Sequence, residues 1–469
     1  MTSNTEKRKM NEECGVFGIF NHKDAASIAF HALNALQHRG QEGAGIVSSD
    51  GTTLKQRKNE GLVRNVFSGD DLEALKGIHA IGHVRYSISS HGGIMNVQPL
   101  LFHSQTGSLG LCHNGNIVNA TILKDHLEQQ GSIFQTTSDT EIIAHLIKRH
   151  RGTMLERLKE SLLYLEGAFA FLLLLEDEMY VALDKHGLRP LSLGKMDNGA
   201  IVVASETCAF DAIKAVFLRD VSPGEVLMIK DGQLISEDYS QEKRQQMCMM
   251  EYVYFSRPDS QIEGINVYYA RKACGARLAK EAPVDCDIVI GVPDSGMSAA
   301  VGYSQASNIP LELGMIKNKS AERTFIEPSQ DLREEAVSLK ISTIRSVIEG
   351  KRVVLIDDSI VRGTTIKQLI RLLKGAGAKE IHIRIASPEI RYPCFYGVDF
   401  STYSELISAH KTVAEVQEII QADSLAFLSI KGMIEAVGRK PNQYCLACFN
   451  GKYPIHLYQP IDEANLEIK

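Results

Sequence analysis

Two adjacent acids, Asp357 and Asp358, follow four apolar residues that are typical of a buried strand. The next residues, 359–365, include one glycine and three hydroxyl side chains, and a stretch with helical periodicity follows them. A strand, loop and helix in this order leave backbone N–H groups available to a phosphate. The acids suit a magnesium ion or ribose hydroxyls. An ordinary turn with an acidic end is the alternative that these residues alone leave open.

A second loop, GVPDSG at 291–296, also lies between an apolar strand and a helical pattern. Its glycines and Ser295 suit a diphosphate, although a plain strand-to-helix turn explains the motif equally well when it is considered alone. Two such loops in one chain favour a shared phosphate-binding function.

Cys14 is a candidate nucleophile, and a small core residue is the alternative for any single cysteine. Four polar, glycine-containing turns occur near it in the first part of the chain: QHRGQEGAG, GHVRYS, CHNGN and SDTE, at 37–45, 82–87, 112–116 and 138–141. Such turns let backbone N–H groups approach a ligand closely. His38, His83 and His113 could each supply a base, and the spacing does not distinguish among them.

Cys445 and Cys448 form a C-x-x-C pair, which is a moderate signal for metal binding. Cys248 and Cys394 are distant in sequence and, taken alone, are interpreted as core thiols. We assign the other four cysteines to packing: Cys112, Cys208, Cys274 and Cys286.

Two regions with different patterns must position these residues. Strand signals with few helices run from Cys14 to about residue 232 and indicate a layered α/β sandwich. The polar stretch SEDYSQEKRQQ at 236–246 is the candidate boundary. From about residue 250, strands and helices alternate, which predicts a parallel sheet with ligands at the carboxyl ends of its strands.

Composition narrows the function further. The chain has 469 residues and a net charge of −6, which gives no electrostatic footprint for nucleic acid. Its longest apolar run, residues 167–175, is too short for the ~20 residues of a membrane span. The N-terminus has no apolar core of a signal peptide. Nine cysteines without such a signal indicate a reducing compartment, and we expect the cytoplasm.

The string VVLIDDSIVRGTT, residues 353–365, closely resembles the phosphoribosyl-diphosphate (PRPP) loop of type I phosphoribosyltransferases. The resemblance implies a parallel-sheet fold of that type, with the ribose hydroxyls on the two acids, the 5-phosphate on the loop and diphosphate on the second motif. Magnesium would lie near Ser295, Asp357 and Asp358. The implied PRPP-binding residues are Val292, Pro293, Asp294, Ser295, Gly296, Asp357, Asp358, Ser359, Ile360, Val361, Arg362, Gly363, Thr364 and Thr365.

The string ECGVFGI and the four polar turns resemble the N-terminal-nucleophile (Ntn) glutamine amidotransferases, which have an αββα sandwich fold. That resemblance implies removal of residues 1–13 as a propeptide. The freed α-amino group of Cys14 would then be the general base for its own thiol. Asn114 and Gly115 would form the oxyanion hole. Arg85 and Asp139 would bind the glutamine α-carboxylate and α-ammonium. Arg39, grouped with them at the glutamine site, would support the site near the nucleophile.

Taken together, residues 14–458 resemble the amidophosphoribosyltransferase family. In one subclass, segments like those around Cys248, Cys394, Cys445 and Cys448 hold a four-iron, four-sulfur cluster, and zinc is the alternative metal. The segment 316–340 would be a mobile lid over PRPP, with four cations that could meet the diphosphate: Lys317, Arg323, Arg333 and Lys340. Here KNKSAERTF replaces the more usual KNRYVGRTF, which puts lid packing in question.

The implied reaction is the first committed step of purine synthesis: glutamine hydrolysis supplies ammonia, carried internally along an apolar path, to C1 of PRPP. Glutamate, 5-phosphoribosylamine and diphosphate are the products. The implied division is a propeptide at 1–13, a glutaminase domain at 14–235, a phosphoribosyltransferase domain at 250–440 and a cluster-binding tail at 441–469. Family members are homo-oligomers, often tetramers, inhibited by purine nucleotides.

Two other functions remain for comparison. Another Ntn amidotransferase, such as a glucosamine-phosphate synthase, would lack the 353–365 string. A non-enzymatic regulator on a phosphoribosyltransferase fold would be expected to carry a basic nucleic-acid module, and would have no need of Cys14 and its four turns.

Overall fold

A computed structural model describes residues 14–86, 93–105, 107–318, 341–400 and 402–457. The predicted propeptide and most of the predicted lid, with Arg323, Arg333 and Lys340, lie outside the described residues, as does the end of the predicted tail.

The strands, in chain order, are β1 (Gly15–Phe20), β2 (Gly43–Ser49), β3 (Leu54–Glu60), β4 (His79–Arg85), β5 (Leu100–Ser104), β6 (Gly107–Ile117), β7 (Gly167–Leu174), β8 (Glu178–Leu183), β9 (Ser192–Lys195), β10 (Ile201–Ala204), β11 (Val216–Asp220), β12 (Glu225–Lys230), β13 (Gln233–Asp238), β14 (Met247–Cys248), β15 (Gln261–Ile262), β16 (Ile265–Asn266), β17 (Ile288–Gly291), β18 (Met315–Lys317), β19 (Ile341–Thr343), β20 (Arg352–Asp357), β21 (Glu380–Ile385), β22 (Ser424–Phe427) and β23 (Tyr444–Cys445).

The α-helices are α1 (Ala25–Ala35), α2 (Val63–Val66), α3 (Gly69–Ala74), α4 (Ala120–Gln129), α5 (Glu141–Arg149), α6 (Met154–Leu162), α7 (Cys208–Ile213), α8 (Val267–Glu281), α9 (Met297–Ser307), α10 (Arg345–Ile348), α11 (Thr364–Gly375), α12 (Ile407–His410), α13 (Val413–Ile420), α14 (Ile430–Val437) and α15 (Ala447–Asn450). Short 3₁₀ turns and one π-helical turn, Glu251–Phe255, complete the described structure.

The N-terminal part is a four-layer αββα sandwich. A seven-stranded antiparallel sheet, in the order β11-β9-β10-β1-β4-β2-β3, faces a six-stranded antiparallel sheet, in the order β13-β12-β8-β7-β6-β5. Strand β7 is apolar throughout because both of its faces pack against other layers. Phe169 and Phe171 pack toward the outer helices, whereas Ala170 and Leu172 face the other sheet. Both faces are therefore buried, as the alternation of side chains along a strand requires.

The C-terminal part contains a four-stranded parallel sheet, in the order β17-β20-β21-β22. Its central strand β20 is again apolar on both sides. Val353 and Leu355 belong to one hydrophobic cluster and Val354 and Ile356 to the other, so helices cover both faces. The fold class predicted from the sequence is thus confirmed in both halves.

The two halves and the C-terminal tail meet through a small parallel sheet, in which β14 pairs with β23 and Cys248 lies opposite Cys445. One boundary differs from the sequence expectation. The periodicity of DAASIAFHALNALQHRG, residues 24–40, predicts a helix that ends at Gly40, but α1 ends at Ala35 and a 3₁₀ turn, Gln37–Arg39, follows it. That turn directs the Arg39 side chain inward, where it is fully buried. None of the described helices is long and apolar enough to cross a membrane.

Candidate active site

Cys14 lies immediately before β1, half-buried, at the edge where β1 pairs with β4. Its Sγ is 3.3 Å from the carbonyl oxygen of Tyr86 and accepts from the Tyr86 amide at 3.4 Å. The first residue after β4 therefore holds the thiol in place. Gly40 is required beside it, because a Cβ there would lie 2.6 Å from the carbonyl carbon of Arg85.

Arg39 connects the nucleophile to the second half of the chain. Its Nε donates to the Cys14 carbonyl oxygen at 3.1 Å. Its Nη1 donates to Glu206 at 2.7 Å and its Nη2 to Glu251 at 2.8 Å, and all three of these side chains are fully buried. Because the guanidinium is already committed to these partners, the geometry favours support of Cys14 over direct glutamine binding for Arg39.

The three histidines considered as bases have other partners. His38 Nε2 lies 2.7 Å from Glu206, His83 Nε2 lies 3.1 Å from the His113 carbonyl oxygen, and His113 bonds Thr140 and Ala168. Burial lowers the pKa of His83 to about 3, and burial also lowers the pKa of His113. Within the described residues, none of the three imidazole rings makes a hydrogen bond to Cys14. The thiol therefore needs another base.

Asn114 and Gly115 lie in β6, against the end of β4. The bond from His83 in β4 to the carbonyl of His113 in β6 holds these two strand ends together. Asn114 is buried, and its Nδ2 has no hydrogen-bond partner in the part of the chain that the structure describes. Gly115 has a φ of +141°, and a Cβ there would lie 2.0 Å from the Ala168 carbonyl oxygen. The strand therefore presents an unused donor beside a backbone position that only glycine fits.

Arg85 and Asp139 flank the same region. Arg85 ends β4 and is half-buried, with Nη1 donating to the Gly93 carbonyl at 3.1 Å. Asp139 accepts from the Ile117 amide at 2.9 Å through Oδ2, and its side chain is 21% exposed. A cation and a partly open carboxylate thus stand near the strand ends that carry Cys14 and Asn114.

The two phosphate-loop candidates are brought together by the parallel sheet. Strands β17 and β20 are neighbours, with Gly291 opposite Ile356, so both loops leave the same edge. Gly296, the N-cap residue of α9, lies so close to β20 that a Cβ there would be 2.2 Å from the Ile356 carbonyl oxygen. Ser295 Oγ donates to Asp357 Oδ1 at 2.9 Å and ties one loop to the other. The Pro293–Asp294 peptide is cis.

The acid pair is buried and electrostatically strained. Burial, together with the neighbouring Asp358, raises the pKa of Asp357 well above its ordinary range. Arg271, a buried residue of α8, interacts electrostatically with this pair: burial lowers its pKa, and the charge of Asp358 opposes that shift. Two carboxylates held this closely need a cation to stay ionised together, which fits a divalent metal ion.

The loop after the acids has free donors. Among the described residues, no hydrogen bond is donated by the backbone amides of 359–363. Gly363, with a φ of +75°, is the N-cap residue of α11, and the Arg362 side chain donates to Glu405 at 2.5 Å. A run of unused amides before a twelve-residue helix is the arrangement that binds phosphate. From the predicted lid, Lys317 is described and lies 3.8 Å from Asp294.

The four cysteines singled out from the sequence line one cavity. Cys248 and Cys394 are half-buried, Cys445 and Cys448 are buried, and all four are free of disulfides. Burial raises the pKa of Cys445 to about 12, and burial also raises the pKa of Cys448 well above its ordinary value. Within the described ranges, no group of three or more His, Cys, Asp or Glu side chains is placed to hold a single metal ion.

Several residues of the site were missed by sequence reasoning. Glu206, Glu251, Arg189 and Arg271 are buried charged side chains at or near the junction of the two halves. Their signal in the sequence is weak: Glu251 interrupts the apolar stretch MMEYVYF, whereas Glu206, Arg189 and Arg271 have polar, charged or proline neighbours. Only their partners, which are distant in the chain, distinguish them from surface residues.

These two sites define a class: an Ntn-type glutaminase joined to a type I phosphoribosyltransferase. Models of known families agree, because a glutamine amidotransferase domain matches residues 83–212 and a phosphoribosyl transferase domain matches residues 271–387. An amidophosphoribosyltransferase of Bacillus subtilis (strain 168) is 56% identical over 460 residues, covering 97% of this chain and 96% of that protein. One of Staphylococcus aureus (strain Mu50 / ATCC 700699) is 49% identical over 455 residues, covering 96% and 92%.

Solved structures give the same result. The B. subtilis glutamine PRPP amidotransferase complexed with ADP and GMP superposes with a TM-score of 0.91 at 56% identity, covering 95% of this chain and 98% of that one. A structure described as the allosteric regulatory enzyme of purine biosynthesis gives 0.92, also at 56% identity, and covers 95% and 97%. The chain belongs to the amidophosphoribosyltransferase family, the glycosyltransferase enzymes of the first step of purine biosynthesis. The resemblance seen in the sequence is confirmed, and both alternative functions are set aside.

Proposed function

We propose that Cys14 is the glutaminase nucleophile after residues 1–13 are removed. Its thiol passes its proton to the new α-amino group and attacks the glutamine amide carbon, giving a thioester and ammonia. Water then hydrolyses the thioester to glutamate. An α-amine titrates at about pH 8, within reach of a thiol near neutral pH. The commitments of His38, His83 and His113 to other partners support this choice of base.

The observation that carries the proposal is the unpartnered Nδ2 of buried Asn114. A buried donor without a partner costs free energy, on the order of 1–3 kcal/mol, and needs a functional reason. Stabilisation of the oxyanion of the tetrahedral intermediate supplies one, with the Gly115 N–H as the second donor. The glutamine α-carboxylate would bind Arg85 and its α-ammonium Asp139, while Arg39 holds the Cys14 backbone.

The ammonia attacks C1 of PRPP, the C–O bond to diphosphate breaks, and 5-phosphoribosylamine forms. We propose that 292–296 bind the diphosphate, that 359–365 bind the 5-phosphate and that Asp357 and Asp358 bind the ribose hydroxyls. The free amides of 359–363 and the bond from Ser295 to Asp357 support these roles. Ser295 and the two acids would hold magnesium, which neutralises charge on the departing diphosphate when bound.

The four-cysteine cavity is proposed to hold a four-iron, four-sulfur cluster on Cys248, Cys394, Cys445 and Cys448. A single zinc ion needs four sulfurs at about 2.3 Å from one point. Four thiols on one cavity also match the four thiolates of an iron–sulfur cluster, and the family resemblance favours the cluster. Thiolate ligation also offsets the burial that keeps Cys445 protonated. The cluster would join the tail to the domain junction, a structural role.

We also propose the domain division, substrates, cellular location, nucleotide inhibition and oligomeric state that the family resemblance implies. We place domains at 14–235 and 250–440, with a propeptide at 1–13 and a tail at 441–469. The enzyme would bind glutamine and PRPP in the cytoplasm, where nine free cysteines stay reduced, and would be inhibited by purine nucleotides. We also carry over a homotetramer from the family. The edge strand β11, where Val216, Phe217 and Leu218 are exposed consecutively, offers an apolar surface for self-association.

One preparation tests the central claims. Mass and metal analysis of anaerobically purified protein should give a chain beginning at Cys14, iron and broad absorbance at about 400 nm. Glutamate release should increase when PRPP is added. Active enzyme that retains Met1 would refute the α-amine mechanism, and a colourless protein with stoichiometric zinc would refute the cluster.

A further inference from the structure

Residues 394–400 form a closed loop, one face of which lines the four-cysteine cavity while the other contacts the glutaminase site. The Cys394 amide donates to the Phe400 carbonyl at 2.9 Å and closes the loop at its base. Every even-numbered side chain, Cys394, Tyr396, Val398 and Phe400, lines the four-cysteine cavity. The Tyr396 amide also lies 3.4 Å from the Cys394 Sγ, so one wall of the cavity is this loop.

The odd-numbered residues of the same loop contact the glutaminase site. The Phe395 carbonyl accepts from Asn116 Nδ2 at 2.8 Å. Asp399 Oδ2 accepts from the Tyr86 hydroxyl at 2.6 Å, and Tyr86 is the residue whose backbone holds the Cys14 thiol.

Gly397, between them, packs against the oxyanion-hole residue itself. A Cβ at Gly397, where φ is +112°, would lie 3.3 Å from the carbonyl carbon of Gly115 and 2.8 Å from Arg189 Nη2. Arg189 lines the cavity and lies 3.7 Å from Glu251, which binds Arg39. The cavity and the nucleophile thus share a second set of contacts through buried charges.

A closed seven-residue loop cannot move one face without moving the other, because packed interiors transmit displacement. We propose that the 394–400 loop positions the oxyanion-hole end of β6 and that the metal group held by the four thiols fixes the loop. Phe395, Gly397 and Asn116 are then positioning residues for glutamine hydrolysis. The inference rests on the proposed metal site and adds its consequence: loss of the metal group impairs the glutaminase chemistry before it impairs the phosphoribosyl transfer.

The first test is Asn116→Ala in full-length, metal-loaded enzyme. It removes the amide bond to the loop while leaving the thiols and Asn114 in place. The glutaminase kcat should fall about tenfold with little change in the glutamine KM, since geometry at the reacting carbon is altered and ground-state binding is not. Iron content, absorbance at about 400 nm and ammonia-dependent synthesis from PRPP should match the parent.

Alkylation of Cys14 by iodoacetamide distinguishes positioning from general damage. That reaction displaces iodide at a tetrahedral carbon and develops no oxyanion, so its rate should be unchanged in Asn116→Ala. Asn119→Ala is the matched control, because its amide bonds the Tyr164 carbonyl at 2.9 Å inside the glutaminase domain and does not reach the loop. It should leave the glutaminase kcat within about twofold of the parent.

The second test removes the metal group from parent and variant with chelator under air. In the parent, glutaminase activity should fall further than ammonia-dependent synthesis. In Asn116→Ala, metal removal should reduce the glutaminase by a smaller factor, because two changes on one pathway are not additive. The proposal would be overturned if metal removal reduced the glutaminase activity of Asn116→Ala by the same factor as that of the parent. It would also be overturned if Asn116→Ala had the same glutaminase kcat as Asn119→Ala.

Two outcomes remain separable. If Asn116→Ala loses ammonia-dependent synthesis as well, Tyr86→Phe, which removes the hydroxyl bond to Asp399, takes its place with the same expectations. If the parent contains neither iron nor zinc, the proposed metal site is wrong, and with it the coupling to the metal. The kcat of the asparagine variant still reports on the loop.

Discussion

Replacing Asn114 by alanine should separate glutamine chemistry from phosphoribosyl transfer. Asn114 is buried in β6, and its Nδ2 makes no hydrogen bond within the described residues. The donor is therefore not engaged elsewhere and can be directed wholly at a developing oxyanion. Removal of one such donor costs about 2.7–4 kcal/mol of transition-state stabilisation, or about 10²–10³ in kcat.

The same feature determines the effect on folding. Because the amide makes no described bond through Nδ2, its loss sacrifices no such hydrogen bond, and the unfolding free energy should change little beyond the packing of a small side chain. Asn119 shows the reverse case. Its side chain donates to Tyr164 at 2.9 Å and accepts from Glu166 at 3.1 Å, so Asn119→Ala should lower stability by about 1–3 kcal/mol and spare the glutaminase.

The assay measures glutamate release at saturating glutamine and PRPP, ammonia-dependent synthesis, and thermal unfolding on the same preparations. Asn114→Ala should lose glutamate release, keep ammonia-dependent synthesis and unfold near the temperature of the parent. A glutaminase kcat within threefold of the parent, by rough allowance for experimental spread, would refute the oxyanion assignment. A parallel loss of ammonia-dependent synthesis would refute the separation of the two sites.

Three further changes test other parts of the structure. Cys14→Ala should abolish glutamine-dependent synthesis and retain the ammonia-dependent reaction; retained glutamate release would exclude Cys14 as nucleophile. Glu251→Gln weakens a fully buried ion pair with Arg39 and should lower the unfolding free energy by about 3–5 kcal/mol. Glu225→Gln should lower it less, because its partner Arg219 is 40% exposed. Equal shifts in the denaturant midpoint of the two variants would contradict this. Burial raises the pKa of Glu263 from 4.5 to about 7, so the folded state keeps its proton longer and loses stability as pH rises through that window. Glu263→Gln should therefore gain stability relative to the parent between about pH 5 and pH 8, and a pH-independent difference in Tm would argue against it.

Much of the fold could be predicted because its signals are local. The strand of 353–357, its acidic end and the helix after it are encoded by consecutive residues, since apolar periodicity and glycine placement depend on near neighbours. The αββα sandwich followed in the same way from strands such as β7, whose uninterrupted apolar run requires burial on both faces. The end of α1 was less predictable, because its periodicity continues into a 3₁₀ turn.

The candidate site was predicted unevenly for the same reason. Cys14, Asn114 and Gly115 stand in short motifs that a resemblance can identify. The role of Arg39 was less clear, because its glutamate partners lie 167 and 212 residues away. Cys248 and Cys394 are interpreted as core thiols from the residues alone. The resemblance joins them to the C-x-x-C pair, and only the structure shows all four on one cavity.

By itself, the sequence determined the two folds, the order of the domains and the residue types available for chemistry, because each of these depends on patterns within a few residues. The tertiary structure decided which polar groups share partners. It left Asn114 with an unused donor, buried Arg39 between two glutamates and set the two faces of the 394–400 loop against different sites. Hydrogen bonding and burial at close range depend on chain segments that are far apart in sequence, and only folding brings those segments together.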